Sequence, residues 1–395
     1  MTAHVFVVSA ITFDLHLKYM FVGTGSKDHQ IDFNAKASSS LHHSSENSLV
    51  SMLADASRLR KGDSVYFYVQ QDANSDGKFY GVFECVEDEP FLDNDDKTQF
   101  LRNELKKNLN IRSKIRPKTV YAVGISEWDL LDDISSVTKP YEMIWSLIYR
   151  KLKGNRGNTM INLFEEKQIL NKLAKRNSTN LAIPEGANLE YRNEEIRVNL
   201  GTSEFTYSGN ATKIDLLPRL RAKYIEGKAF EAHLQAYMVA SILKGSNRSL
   251  DSALFENHSL KWLGNEVSCG VGMQRIDILT QTTVSDEIII SPIELKAVSA
   301  QRKNLKQIQR YVDWLKLYYL PTMPGKVRPV LVTKDFKVGD EDSKEQLFSD
   351  IQDFNLANGD CLPLVWVTFR FEGDEPDFEK QAPKKKYQAQ GNALN

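Results

Sequence analysis

The sequence predicts an α+β protein of two domains, a β-rich one followed by an α/β one with a mixed central sheet. Three observations predict it. Residues 1 to about 125 hold short β-branched and aromatic segments separated by turn residues. Residues 177–215 are polar and asparagine-rich, with Pro184, Gly186, Gly201 and Gly209. From Leu216 onward the apolar pattern alternates between helical and strand periods, the mark of a compact α/β or α+β domain.

In the first region "HVFVVSA", "YMFVG", "SVYFYVQ", "KFYGVFECV" and "TVYAVGI" read as strands. Val65, Phe67 and Val69 alternate with Tyr66 and Tyr68, the period of a half-buried strand. "DANSDG" (72–77) supplies a hairpin loop, and Gly81 marks a bulge or a close backbone approach in the strand that returns. "SENSLVSMLADASRL" has a helical period through Leu49, Met52, Leu53 and Leu59, with Ser45 as the expected N-cap. Short strands with one or two helices predict a small, partly closed barrel. Two helical segments, "YEMIWSLIYRKL" and "LFEEKQILNKLAK", follow on either side of a "GNRGNT" break. The expected boundaries are a first domain at 1–170, a linker at 171–215, a second domain at 216–372 and a disordered tail at 373–395.

Composition excludes more than it assigns. With 51 basic and 52 acidic residues the net charge is −1, so any nucleic-acid contact must come from a local basic arrangement. Cys85, Cys269 and Cys361 stand far apart, which argues against a zinc knuckle and a disulfide framework. No apolar run approaches the ~20 residues that span a bilayer, and no signal peptide is read at the start. The expectation is a cytoplasmic protein with no membrane partner. His42 and His43 are adjacent, point apart and have no third ligand nearby, so they read as a polar loop.

The chemistry is expected in the second domain. In "RIDIL", Asp277 lies on a strand face with Arg275 and Leu279; in "IELK", Glu294 and Lys296 share a face because a strand repeats every two residues. If the two strands are neighbours, Asp277 and Glu294 converge. Two close carboxylates repel, and a divalent cation removes the conflict. Mg²⁺, with Mn²⁺ as the alternative, would polarise a phosphodiester and activate water, with Lys296 orienting or deprotonating that water, or balancing the developing charge. A third acid is expected from "EGKAFEAHLQAYMVASIL": Glu231 at the edge of the apolar stripe, or Glu226 near the helix start. In "KNLKQIQRYVDWLK", Lys303, Lys306 and Arg310 form a basic strip suited to a phosphate backbone, and Gln307 and Tyr311 lie one turn apart.

These residues, Glu231, Asp277, Glu294, Lys296 and "QIQRY", resemble the PD-(D/E)XK nuclease superfamily, in its RecB-like and restriction-endonuclease-like branches, over about residues 220–372. The resemblance implies an α/β/α domain and DNA cleavage. It implies Glu231, Asp277 and Glu294 as metal ligands, Asp277, Glu294, Lys296 and Gln307 as catalytic residues, and Lys303, Lys306, Arg310 and Tyr311 against nucleic acid. Pro292, just before the acid, departs from the pattern and must sit at the strand start or on a side with no ladder partner. "LRKGDSVYFYVQ", "GKFYGVFECVEDEP" and "YEMIWSLIYRKLKGNRGNT" together resemble the EVE branch of PUA-like domains. That implies a reader of modified DNA bases or RNA, with Trp145, Tyr149 and Arg150 as base-reading candidates. The combined expectation is a DNA endonuclease with a reader domain, serving modification-dependent restriction or DNA repair. An RNA nuclease and a catalytically inert nucleic-acid-binding protein are the alternatives, and a homodimer stays open.

Overall fold

In this computed structural model the described residues are 2–25, 43–73, 75–93, 98–132, 135, 138, 157–201, 205–227, 230–256, 258–269, 274–321, 323–337 and 339–383. The chain divides into two compact units, Met1–Ala222 and Lys223–Asn395.

The first unit opens with β1 (Ala3–Val8), α1 (Ala10–Tyr19), β2 (Phe21–Thr24) and α2 (His43–Ala56). Next come β3 (Ser64–Val69), β4 (Lys78–Cys85), β5 (Phe91–Leu92), α3 (Arg102–Leu105), β6 (Ile111–Pro117), β7 (Ile125–Ser126) and α4 (Glu127–Leu131). It closes with β8 (Asn158–Ile161), α5 (Leu163–Asn177), β9 (Asn188–Arg192), β10 (Glu195–Asn199), β11 (Thr212–Lys213) and α6 (Leu217–Glu226), which runs on across the division.

Its mixed sheet follows the order β11-β5-β6-β4-β3-β1-β8, with β2 added on β6 and β7 on β4. Only β1 and β3 run parallel among these pairs. Strand β6 changes partner along its length: Ile111–Lys114 pair with β2 and Ile115–Pro117 with β4. No pairing among the described residues joins its two ends, so the expected β-barrel is instead an open mixed sheet. Around Gly81 both sequence readings hold: the β3–β4 register shifts between Val65 and Phe67. A Cβ on Gly81 would also stand 2.9 Å from the Tyr66 ring.

"ITFDLHLKY", between the first two expected strands, is helix α1, capped by the Ser9 side chain. Two further expectations are corrected here. "TVYAVGI" is mostly irregular, with only Ile125–Ser126 in a strand. Residues 171–215 are not a linker: α5 continues to Asn177, and the β9–β10 hairpin buries Leu189 and Ile196 against Phe13, Phe67 and Phe83. Burying each such side chain contributes about 1.5–3 kcal/mol, which a free connector would forgo.

The second unit contains α7 (Glu231–Lys244), α8 (Arg248–Phe255), β12 (Ser259–Ser268), β13 (Arg275–Val284), β14 (Glu287–Lys296) and α9 (Arg302–Trp314). A π-helical turn, Leu315–Tyr319, extends α9. Then come β15 (Lys326–Val327), β16 (Val330–Lys334), α10 (Glu341–Ala357), β17 (Val365–Phe371) and β18 (Pro376–Lys380). The sheet order is β12-β13-β14-β16-β17-β18, with β15 alongside β14. β14, β16 and β17 run parallel; the outer pairs are antiparallel, which makes the sheet mixed as expected. Ile276, Ile290, Leu331 and Trp366 from the sheet pack with Leu305, Ile308 and Val312 of α9 and with Leu347, Ile351 and Phe354 of α10. Residues 376–380, placed in a disordered tail by their low apolar content, form β18 on the edge of β17 and bury Phe378.

Candidate active site

β13 and β14 are hydrogen-bonded neighbours, in register from Val284–Glu287 to Ile278–Ile293. Pro292, opposite Leu279, falls in the gap on the other side of β14 between the β15 pairing, which ends at Ile290–Val327, and the β16 pairing, which starts at Ile293–Val330. The missing N–H therefore stands where no neighbouring residue pairs on that side. The β13–β14 register ends just short of Asp277 and Glu294. There the Leu295 N–H donates to Asp277 Oδ2 at 2.8 Å, a side-chain acceptor standing in for a strand carbonyl. This brings the two acids to one place.

Glu294 is fully buried. Its Oε2 lies 2.8 Å from the Tyr311 hydroxyl, and its Oε1 lies 2.6 Å from Lys296 Nζ. Oε1 nevertheless accepts no hydrogen bond of good direction. Lys296 Nζ also reaches Glu231 Oε1 at 3.2 Å and donates to the Leu295 carbonyl at 2.7 Å. Tyr311 OH is 2.8 Å from the Arg275 carbonyl and accepts from Gln307 Nε2 at 2.6 Å. On the α7 side, Gln235 Nε2 donates to the Asp277 carbonyl at 2.8 Å and lies 3.3 Å from Glu266 Oε1, and Arg275 Nη1 pairs with Glu266 Oε2 at 3.0 Å.

The electrostatics follow from this crowding. Burial pushes the Asp277 carboxyl well above the usual carboxylate range, and the charge of Glu294 pushes it further. Burial also raises Glu294, although Lys296 and the Tyr311 hydroxyl pull the other way. Burial alone would lower Lys296, but its ion pairs with Glu294 and Glu231 outweigh that and raise it, so it is an ammonium at neutral pH. One cation thus faces three acids.

The donor set fits a hard divalent cation. Two carboxylates that disfavour each other's charge, with one buried oxygen accepting no good hydrogen bond, are what Mg²⁺ takes alongside water and substrate oxygens. Among the described residues no three His, Cys, Asp or Glu side chains form a ligand group by themselves. Glu231, expected as a third metal ligand, instead stands half-exposed in an ion pair with Lys296. Asp277 and Glu294 are the residues that would hold the ion.

The remaining expected residues fall as follows. Glu231, at the first residue of α7, is the acid beside Lys296; Glu226 is exposed at the end of α6. Gln307 reaches the carboxylates only through Tyr311. Tyr311 was expected against nucleic acid; it is 1% exposed because the apolar face of α9 turns it into the core beside Glu294. Lys303, Lys306 and Arg310 lie on the exposed face of α9. Trp145, Tyr149 and Arg150 lie outside the described residues. Gln235, Glu266 and Arg275 were not assigned a part; the only sequence signal was Gln235 one helical turn after Glu231.

No family model matches the chain, and no curated protein matches it. Among solved structures, the chain is similar to the human THYN1 protein in complex with DNA containing 5-methylcytosine. The identity is 11% and the TM-score 0.27, over 44% of this chain and 98% of that one. No helix among the described residues is long and apolar enough to cross a membrane.

Proposed function

We propose that this protein is a metal-dependent endodeoxyribonuclease whose reaction centre is Asp277, Glu294 and Lys296. The observation that carries the reading is the meeting of the buried Glu294 carboxylate and the half-buried Asp277 carboxylate, which repel each other, with one lysine at the end of β13 and β14. Bound between the carboxylates, Mg²⁺ or Mn²⁺ would supply Lewis-acid polarisation and a water of lowered pKa.

The chain's own residues do the rest. Asp277 and Glu294 present oxygens fixed by the Leu295 N–H and the Tyr311 hydroxyl, so they are preorganised before substrate arrives. Lys296, held as an ammonium by two acids, stabilises the developing negative charge on the phosphate. The exposed Lys303, Lys306 and Arg310 take the phosphodiester backbone, which positions DNA without reading its sequence. The first unit is assigned to recognising the DNA to be cut, with modified bases as its targets, in restriction or repair.

The deciding experiment is cleavage of supercoiled plasmid, unmodified and carrying modified cytosine, in Mg²⁺, Mn²⁺ or EDTA, with RNA in parallel. Nicking or linearisation of DNA in Mg²⁺ that disappears in EDTA and in Lys296→Ala is the expected result. Tight DNA binding with no cutting under any condition would make the protein an inert binding module. Cutting of RNA alone would make it a ribonuclease.

A further inference from the structure

We propose that Gln235 is a positioning residue that fixes the Asp277 peptide at the end of β13, and so sets the affinity of the Asp277–Glu294 pair for a divalent cation. This inference rests on the reading of that pair as a metal site.

Two alternate carbonyls of β13 at the splayed end are taken by side chains from two helices. Tyr311 of α9 meets the Arg275 carbonyl, and Gln235 of α7 meets the Asp277 carbonyl, both at 2.8 Å. Gln235 is buried, so its amide is committed to these partners, and an unmet Asp277 carbonyl there would be costly. The second partner of that amide is Glu266, on β12 at the level of Asp277. Glu266 has φ +49°, a left-handed backbone that a non-glycine residue adopts only when its surroundings impose it. Its carboxylate spans Gln235 and Arg275. The strained residue, the buried amide and the arginine thus form one brace against the back of the Asp277 peptide.

The consequence is geometric. With its carbonyl held by Gln235, Asp277 directs its carboxylate at the Leu295 N–H and toward Glu294. Without that bond the Asp277 peptide loses the partner that fixes its orientation, and the carboxylate it carries is free to turn away from Glu294. Partners that orient ligands in this way typically set metal affinity by 10–100-fold when removed.

The test uses the full chain and titrates Mn²⁺ and Mg²⁺ by calorimetry, with no nucleic acid present. Gln235→Glu keeps the shape and removes the donor; Gln235→Leu removes both polar atoms; Asp277→Asn is the control on the site. Thermal denaturation confirms that each variant folds. Expected are a single cation per chain in wild type, binding at least about tenfold weaker in both Gln235 variants, and loss of binding in Asp277→Asn. Cleavage by Gln235→Glu should recover at high Mg²⁺, an effect on metal affinity rather than on the maximal rate. Unchanged affinity in both Gln235 variants, alongside loss in Asp277→Asn, overturns the positioning role and leaves the site standing. Unchanged binding in Asp277→Asn overturns the site, and this inference with it.

Discussion

The two units bury charge in opposite ways. In the first, three buried acids each have their own arginine: Glu46 with Arg219 through two hydrogen bonds at 2.6 and 2.9 Å, Asp93 with Arg112 at 3.1 Å, Asp55 with Arg58 at 3.2 Å. In the second, Asp277, Glu294 and Glu231 gather around Lys296 alone. Matched pairs inside a protein hold a fold in register, and removing one partner is costly. An unmatched cluster destabilises the fold that contains it and is retained where the excess charge meets something from outside. Under the proposed function, the first unit's ion pairs are structural and the second unit's acid cluster is chemical.

Four predictions would break or sharpen that contrast. The largest effect is on reaction rate: Asp277→Ala or Lys296→Ala should lower plasmid cleavage by about a thousandfold or more, on the scale of a lost preorganised electrostatic group. Circular dichroism of the same variants should keep the wild-type spectrum. Cleavage at the wild-type rate would remove the site.

Next in size is stability. Arg112→Met strands Asp93 and should cost about 3–5 kcal/mol in urea unfolding of the first unit. Asp277→Asn should leave the second unit equally stable or more so, because it removes a repelling charge. Equal losses at the two positions would erase the contrast.

The third prediction concerns pH. Burial pulls His4 and His16 in the first unit down to about 3, with Arg58 adding to the effect at His4 and Lys107 and Arg112 at His16. Their folded values lie below the unfolded 6.5, so between these limits the unfolded chain binds more protons and stability falls as pH falls. The slope should be about 1.4 kcal/mol per pH unit for each histidine, and His16→Leu should remove half of it. Asp277 and Glu294 are raised instead, so they bind protons in the folded state that the unfolded chain has released. Their contribution runs the other way: it favours the second unit on acidification and is lost as pH rises through their folded values. Unfolding of each unit from pH 7 to 4, followed by amide hydrogen exchange, should show the opposed signs.

The smallest effect belongs to the basic strip. Alanine at Lys303, Lys306 and Arg310 together should weaken DNA binding uniformly across sequences. It should also flatten the salt dependence by about one unit of log–log slope per lost contact. Fluorescence anisotropy at several salt concentrations measures both.

How much of this was legible in the sequence depends on the distance over which each feature is specified. Glu294 and Lys296 share a face because they are two residues apart, and period-two geometry needs no tertiary knowledge. The helical period of α9 likewise placed Lys303, Lys306 and Arg310 outside. Tyr311 was misread because one residue on that helix can face solvent or core, and only packing beside Glu294 decides which. Helix α1 stood unassigned between two expected strands, since alternating apolar residues carry no helical period; Ser9 caps it. Glu266 and Gln235 were invisible because their part depends on a left-handed backbone and a strand register that no local pattern encodes. The tail strand β18 was missed because an edge strand of five residues with one buried aromatic has a polar composition.

The Glu46–Arg219 pair bears on how the protein can be taken apart. Its partners are 173 positions apart, and the late strand β11 likewise returns to β5. A fragment ending at residue 170 would therefore lack the hairpin that shields Phe13 and would take Arg219 away from the buried Glu46. Such a piece should misfold or aggregate, whereas one carried to about residue 222 retains every element of its sheet.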